Sequence, residues 1–184
     1  MIIDTQEPDT LTLDTVKKFL LIEHTLDDEL LNIYIKTSLA VAGRYLHQNV
    51  LTTTYAAEPK ELIDIEYGIF LTLPDRPYEV EVEYSVGGST YTQTMRYFEG
   101  KYVYAKGQGL LFIDVEALDY APDTITGIKA LAGFENADDA DVITQGRLFL
   151  IGDWYKFREN NVTFENVLPN GTKLLFDLVQ ESQL

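Results

Sequence analysis

The sequence predicts an α+β fold, a helical bundle built from both ends of the chain with a small antiparallel β-sheet inserted between them. Apolar residues sit at helical spacing from Leu13 to Leu46 and again from Ile143 to Phe157, whereas between about 50 and 133 they alternate with polar ones. Pro74, Gly100, Gly107, Gly109 and Pro122 break that middle stretch into short pieces. The whole chain, 1–184, reads as a single domain, with 11–50 and 138–180 as the helical core and 51–133 as the β insertion.

The first helix is expected over 12–21. Thr12 is placed to cap it, and Leu13, Val16, Phe19 and Leu20 form its apolar stripe. A longer helix opens at Thr25, with Asp27, Asp28 and Glu29 where the helix dipole favours negative charge. Leu30, Ile33, Tyr34, Leu39, Ala42, Tyr45 and Leu46 carry its apolar face to about His47. Strands are expected over 63–73, 78–86, 102–105, 110–115 and 124–131. The clearest has Tyr78, Val80, Val82, Tyr84 and Val86 alternating with Glu79, Glu81 and Glu83; Gly87 and Gly88 then turn the chain, and Tyr91, Gln93, Met95 and Tyr97 resume the pattern as a hairpin. Helix returns over 140–160, with Ile143, Leu150, Ile151, Trp154, Tyr155 and Phe157 apolar. A short last helix over 172–179 follows a break at Leu168, Pro169, Asn170 and Gly171. No internal repeat or low-complexity segment is evident.

Composition narrows the chemistry. Of the 184 residues 46% are hydrophobic, which is enough for a real core, while 14 Lys and Arg stand against 30 Asp and Glu. The resulting charge of −16 repels a phosphate backbone and argues against tight DNA binding. The absence of cysteine removes disulfides, thiol nucleophiles and sulfur-ligated zinc. The opening residues lack the basic-then-apolar pattern of a secretory signal, and no stretch approaches the roughly 20 apolar residues of a membrane span, so a soluble protein with no membrane partner is expected.

No catalytic, metal or cofactor-binding residue is assigned, because each partial match has a plainer reading. His24 and His47, the two histidines, lack ligand spacing. The run from Asn136 to Asp141 lacks the glycine and distal glutamate of a calcium loop and reads as helix-start charge. Gly107, Gln108 and Gly109 lack the third glycine of a dinucleotide fingerprint and read as a tight connection between strands. Glu79, Glu81 and Glu83 share one strand face, where regular alternation points to a solvated surface that also discourages sheet-to-sheet association. Ser38, Ser85, Ser89 and Ser182 stand in no nucleophile-elbow setting.

Leu13, Val16 and Lys17, followed by Leu21, Ile22, Asp27, Asp28 and a long helix, resemble the N-terminal signature of phage head-tail connector proteins. Gln145, Gly146 and Arg147, with the run from Ile151 to Asn160 that contains Tyr155, Arg158 and Glu159, are similar to the family's helix ending in tyrosine, two residues, arginine and glutamate. Val167, Leu168 and Pro169 followed by Leu174 and Leu175 resemble its closing segment. The resemblance covers 11–50 and 140–178, and the strand region resembles longer members that carry a β insertion. Gly146 and Gly152 depart from the pattern: inside a helix glycine costs about 1 kcal/mol, so close helix approach is the expected reason.

The resemblance implies a structural virion protein and no enzyme: a ring of about twelve copies between portal and tail, built from heterologous contacts and continuing the DNA channel. Its partners would be its own copies, the portal protein and a tail or stopper protein, with DNA passing through without tight binding. It would sit at the portal vertex of the virion after synthesis in the bacterial cytoplasm. Leu174, Leu175, Phe176, Leu178 and Val179 are the residues expected to dock on the portal or a neighbouring subunit; Trp154, Tyr155, Arg158 and Arg147 are expected at helix packing or ring contacts. Two other classes compete: an acidic DNA mimic that blocks a nucleic-acid-binding enzyme, from the charge, and a small hydrolase or carbohydrate-binding module using Tyr91, Tyr97, Tyr102 and Tyr104 of the β face.

Overall fold

The computed structural model describes residues 3–58, 63–65, 68–96, 99–105, 108–134, 137–157 and 168–182; Tyr97, Gly107, Val167 and Arg158 lie outside them. The chain divides into two compact units, each assembled from separate stretches. One is Met1–Glu7 with Leu51–Phe134, and the other is Pro8–Val50 with Glu135–Leu184.

The regular structure of the first unit is mostly β among its described residues, with a 3-10 turn at Val115–Ala117. Its strands are β1 (Ile3–Gln6), β2 (Thr53–Ala57), β3 (Ile63–Ile65), β4 (Gly68–Thr72), β5 (Pro77–Val86), β6 (Ser89–Arg96), β7 (Tyr102–Ala105), β8 (Leu110–Asp114) and β9 (Thr124–Ala132). They form two antiparallel sheets, ordered β1-β2-β9-β5-β6 and β3-β4-β8-β7. Val80, Val82 and Tyr84 of β5, with Ile128 and Ala130 of β9, turn inward from the first sheet; Ile69 and Leu71 of β4, with Leu111 and Ile113 of β8, do so from the second. These side chains fill one shared core, as in a sandwich. The hairpin at Gly87 and Gly88 forms as expected. Both glycines have positive φ, +57° and +82°, the pair of values a two-residue type I′ turn needs.

The second unit holds α1 (Leu13–Leu20), α2 (Asp28–Leu46), α3 (Ala137–Lys156) and α4 (Asn170–Ser182). Thr12 caps α1 as the sequence predicts, its hydroxyl accepting from the Thr15 N–H at 3.2 Å. α2 starts at Asp28, later than the predicted Thr25. Asp27 takes the cap position without a side-chain cap bond, because its carboxylate accepts instead from the Tyr155 hydroxyl at 2.6 Å. Leu11, Val16, Leu31, Ile35, Leu148 and Ile151 form a core between α1, α2 and α3. None of the helices is long and apolar enough to cross a membrane.

The predicted fold class needs correction. The protein is mixed α+β with two antiparallel sheets, not a helical bundle carrying a small inserted sheet. Alternation reveals which residues of a strand face inward but not how strands are shared between sheets. The 63–73 stretch, expected as one strand, is the antiparallel pair β3 and β4, while β1 and β2 were not anticipated. The sheets thus enclose a core of their own instead of decorating a helical one.

α1 ends on Leu21, which adopts the left-handed conformation at φ +57° so that the Ile22 N–H can reach the Lys17 carbonyl at 2.9 Å. A side chain there costs about 1 kcal/mol, and Leu21 is 88% exposed, so it recovers nothing by packing within the chain. Leu21→Gly is therefore expected to raise stability by about 0.5–1 kcal/mol, seen as a higher urea midpoint at unchanged slope.

Candidate docking surface on the helical unit

α4 is two-faced. Thr172, Phe176 and Val179, at i, i+4 and i+7, are buried, while Leu174 and Leu178 point outward and are 62% and 51% exposed. Leu175 is half-buried between these faces. The inner face is fixed by geometry that only glycine permits: a Cβ on Gly146 of α3 would lie 2.6 Å from Cε1 of Phe176. The Thr172 hydroxyl donates to the Gly146 carbonyl at 3.2 Å, so the close approach is hydrogen-bonded as well as packed. From α2, the Tyr45 ring meets Phe176 at 5.7 Å between centroids and its hydroxyl donates to the Asp177 carboxylate. That bond, followed by burial, pushes the Tyr45 hydroxyl above its ordinary pKa. The Gln180 amide donates to the Tyr45 carbonyl at 2.7 Å.

The outer face continues beyond α4. Phe149 of α3 rests against Gly171, whose Cβ, if present, would sit 3.4 Å from the ring. Gly171, Leu174 and Leu178 follow at i, i+3 and i+7, so Phe149 extends the same apolar stripe. On its other side Phe149 faces Phe19 of α1 at 6.1 Å. Phe19 and Phe149 are 40% and 41% exposed, so aromatic and leucine side chains from three helices make one exposed apolar strip.

The predicted contact residues divide by where they lie. Trp154 is half-buried and meets the Tyr34 ring at 5.6 Å, and Tyr155 ties α3 to Asp27. Arg147 is 1% exposed and grips Asp9 with both terminal nitrogens, Nη1 to Oδ1 at 2.9 Å and Nη2 to Oδ2 at 2.6 Å. Its Nε donates to the Ser38 hydroxyl at 3.2 Å and Nη2 also to the Ile35 carbonyl at 3.3 Å, so the guanidinium is spent inside the unit. Sequence reasoning missed Asp9 as this partner, since 138 residues separate them and nothing local marks the pair. It read Phe19 as packing and passed over Phe149; the signal was an aromatic off the buried stripe of its helix.

Among the described residues no group of three or more His, Cys, Asp or Glu could hold a metal ion. Asp138 and Asp139 stand in the first turn of α3, and Glu79 and Glu81 pair with Arg96 and Lys129 at 3.4 and 3.0 Å. On the β unit Tyr102 and Tyr104 are buried, their hydroxyls donating to the carbonyls of Pro77 and Leu73. They do not share an open face with Tyr91, which is 37% exposed.

Residues 10–99 match the family described as phage gp6-like head-tail connector protein, which bears out the resemblance there; the motifs noted over 140–178 lie beyond the matched residues. No curated protein matches the chain. Among solved structures, a chain of the "Neck of empty GTA particle computed with C6 symmetry" is similar at 14% identity. The alignment covers 96% of this chain and 94% of that one, with a TM-score of 0.48.

Proposed function

We propose that this chain, matched over residues 10–99 by the phage gp6-like head-tail connector family, is a structural connector of a tailed-phage virion that forms a ring between portal and tail. The family match carries the reading. The matched family is one of structural connectors, and the chain acts by binding, with no catalytic residue in its mechanism. The strip of Phe19, Phe149, Leu174 and Leu178 supplies the apolar contact that such an assembly needs, on the portal or on the next copy. A heterologous contact repeated by rotation closes a ring of about twelve copies. The charge of −16 suits a conduit, because acidic walls let DNA pass without holding it.

Leu174→Lys with Leu178→Lys tests the docking face. Both positions are exposed, so the variant is expected to keep its helical spectrum and to lose no more than about 0.5 kcal/mol of stability. Mixed with its portal and imaged by electron microscopy, the wild-type protein should give rings on the portal axis and the variant none. Rings formed equally well by the variant would remove this face from assembly; no rings with either protein would remove the connector reading itself.

A further inference from the structure

The four sheet edges of the β unit are not alike. Among the described residues β1, β3 and β7 have four, three and four residues. β6 has eight, ends its sheet, and is joined to β5 by an unbroken register from Glu79↔Arg96 to Val86↔Ser89. From Ser89 to Met95 it carries no proline, no charge and no bulge, three of the usual devices that blunt an edge.

The register shows what this edge offers. In a two-residue hairpin the residues flanking the turn exchange both hydrogen bonds, so Val86 pairs this way with Ser89, and by alternation Tyr84 with Tyr91 and Val82 with Gln93. The backbone groups of Thr90, Thr92 and Thr94 therefore point away from β5. The two faces beside them differ. On one, Thr92 lies opposite Glu83 and Thr94 opposite Glu81. On the other, Tyr91 is stacked on Tyr84 at 5.9 Å and met by Tyr120 at 5.0 Å, with Tyr120 55% exposed. Gln93 holds the segment bearing Tyr120 in place, its amide donating to the Ala117 carbonyl and its oxygen accepting from the Asp119 N–H at 2.7 Å. Of the nearby cations Arg96 pairs with Glu79 and Lys129 with Glu81, Lys129 also feeling the charge of Glu83, while Asp119 and Asp123 have no ion pair among the described residues.

We infer that β6 is a docking edge for an extended segment of a partner protein in which basic residues alternate with apolar or aromatic ones. Such a segment adds a sixth strand to the sheet. Its backbone bonds to Thr90, Thr92 and Thr94, its basic side chains lie over the Glu83 face, and its apolar ones fill the space against Tyr91 and Tyr120. A second copy of this chain fits poorly, because at −16 it brings like charge to an acidic edge. The inference stands apart from the connector reading and uses none of the helical strip.

The test uses the full chain and a synthetic peptide of about eight alternating lysine and valine residues, with a glutamate–valine peptide as control. The basic peptide is expected to bind with slowed amide exchange at Thr90, Thr92 and Thr94, and the acidic one not to bind. Thr92→Pro removes an outward N–H without breaking a bond to β5 and should weaken binding at least about tenfold. Thr92→Lys, which keeps the backbone donor but guards the edge with charge, should weaken it too and covers the case in which the proline variant fails to fold. The inference is overturned if neither peptide binds, if both bind alike, if protection appears away from β6, or if the chain instead dimerises through this strand.

Discussion

Arg147→Met is expected to lower the stability of the helical unit by about 3 kcal/mol, read as a fall in the urea midpoint. Methionine keeps most of the volume, so the loss is electrostatic. The guanidinium, 1% exposed, makes a two-pronged bond to Asp9 and also serves Ser38 and the Ile35 carbonyl. Removing it strands a partly buried carboxylate and leaves the Ser38 hydroxyl and Asp9 Oδ2 without their guanidinium donor, with only the Leu11 N–H still serving Oδ1. The acid limb of stability carries a second signature. Burial pushes the Asp9 carboxyl up, but the Arg147 bond, the Leu11 N–H and the guanidinium charge together hold it below its ordinary 3.8. A depressed carboxyl contributes stability that is complete above its unfolded pKa and drains away as pH falls through the folded one. In the variant burial faces weaker opposition, so proton uptake by Asp9 moves to higher pH. Acid unfolding of the variant should begin earlier, and Asp9→Asn combined with it should cost less than the two single changes summed.

The second large effect belongs to Phe176→Ala, for which about 3–5 kcal/mol of destabilisation is expected in the same assay. The ring has no exposed surface, lies in the notch over Gly146 and faces Tyr45, and nothing nearby can collapse into the space without drawing α3 and α4 together. The notch explains the glycine. Alanine at 146 would gain about 1 kcal/mol in helix propensity, yet its Cβ at 2.6 Å from the ring forces a shift typically worth 1–3 kcal/mol, so the packing term wins.

Local features of this fold were legible in the sequence and distant ones were not. Thr12, the packing of Leu13, Val16 and Leu20 on α1, and the Gly87–Gly88 hairpin follow from residues within one turn or one ladder step of each other, whereas Phe19 of the same expected stripe is exposed. The close helix approach expected at Gly146 is present, although the ring that fills it could not be read from spacing. Division of the strands into two sheets depends on pairings such as Tyr55↔Ala130, which period-two alternation does not encode. The start of α2 was misplaced for a similar reason, since Asp27 is claimed by Tyr155 from another helix. On α4 the sequence marked a short apolar segment but not its halves; the notch over Gly146 decides that Phe176 turns in while Leu174 and Leu178 turn out.

The chain crosses from one unit to the other after Glu7, Val50 and Phe134. During synthesis the β unit has all its strands once Phe134 has left the ribosome, even though α1 and α2 were made earlier. Val16, Leu31 and Ile35 of those two helices lack Leu148 and Ile151 until α3 has been made. The order of translation is therefore not the order of completion: the core of the older helices needs residues made after every strand of the other unit.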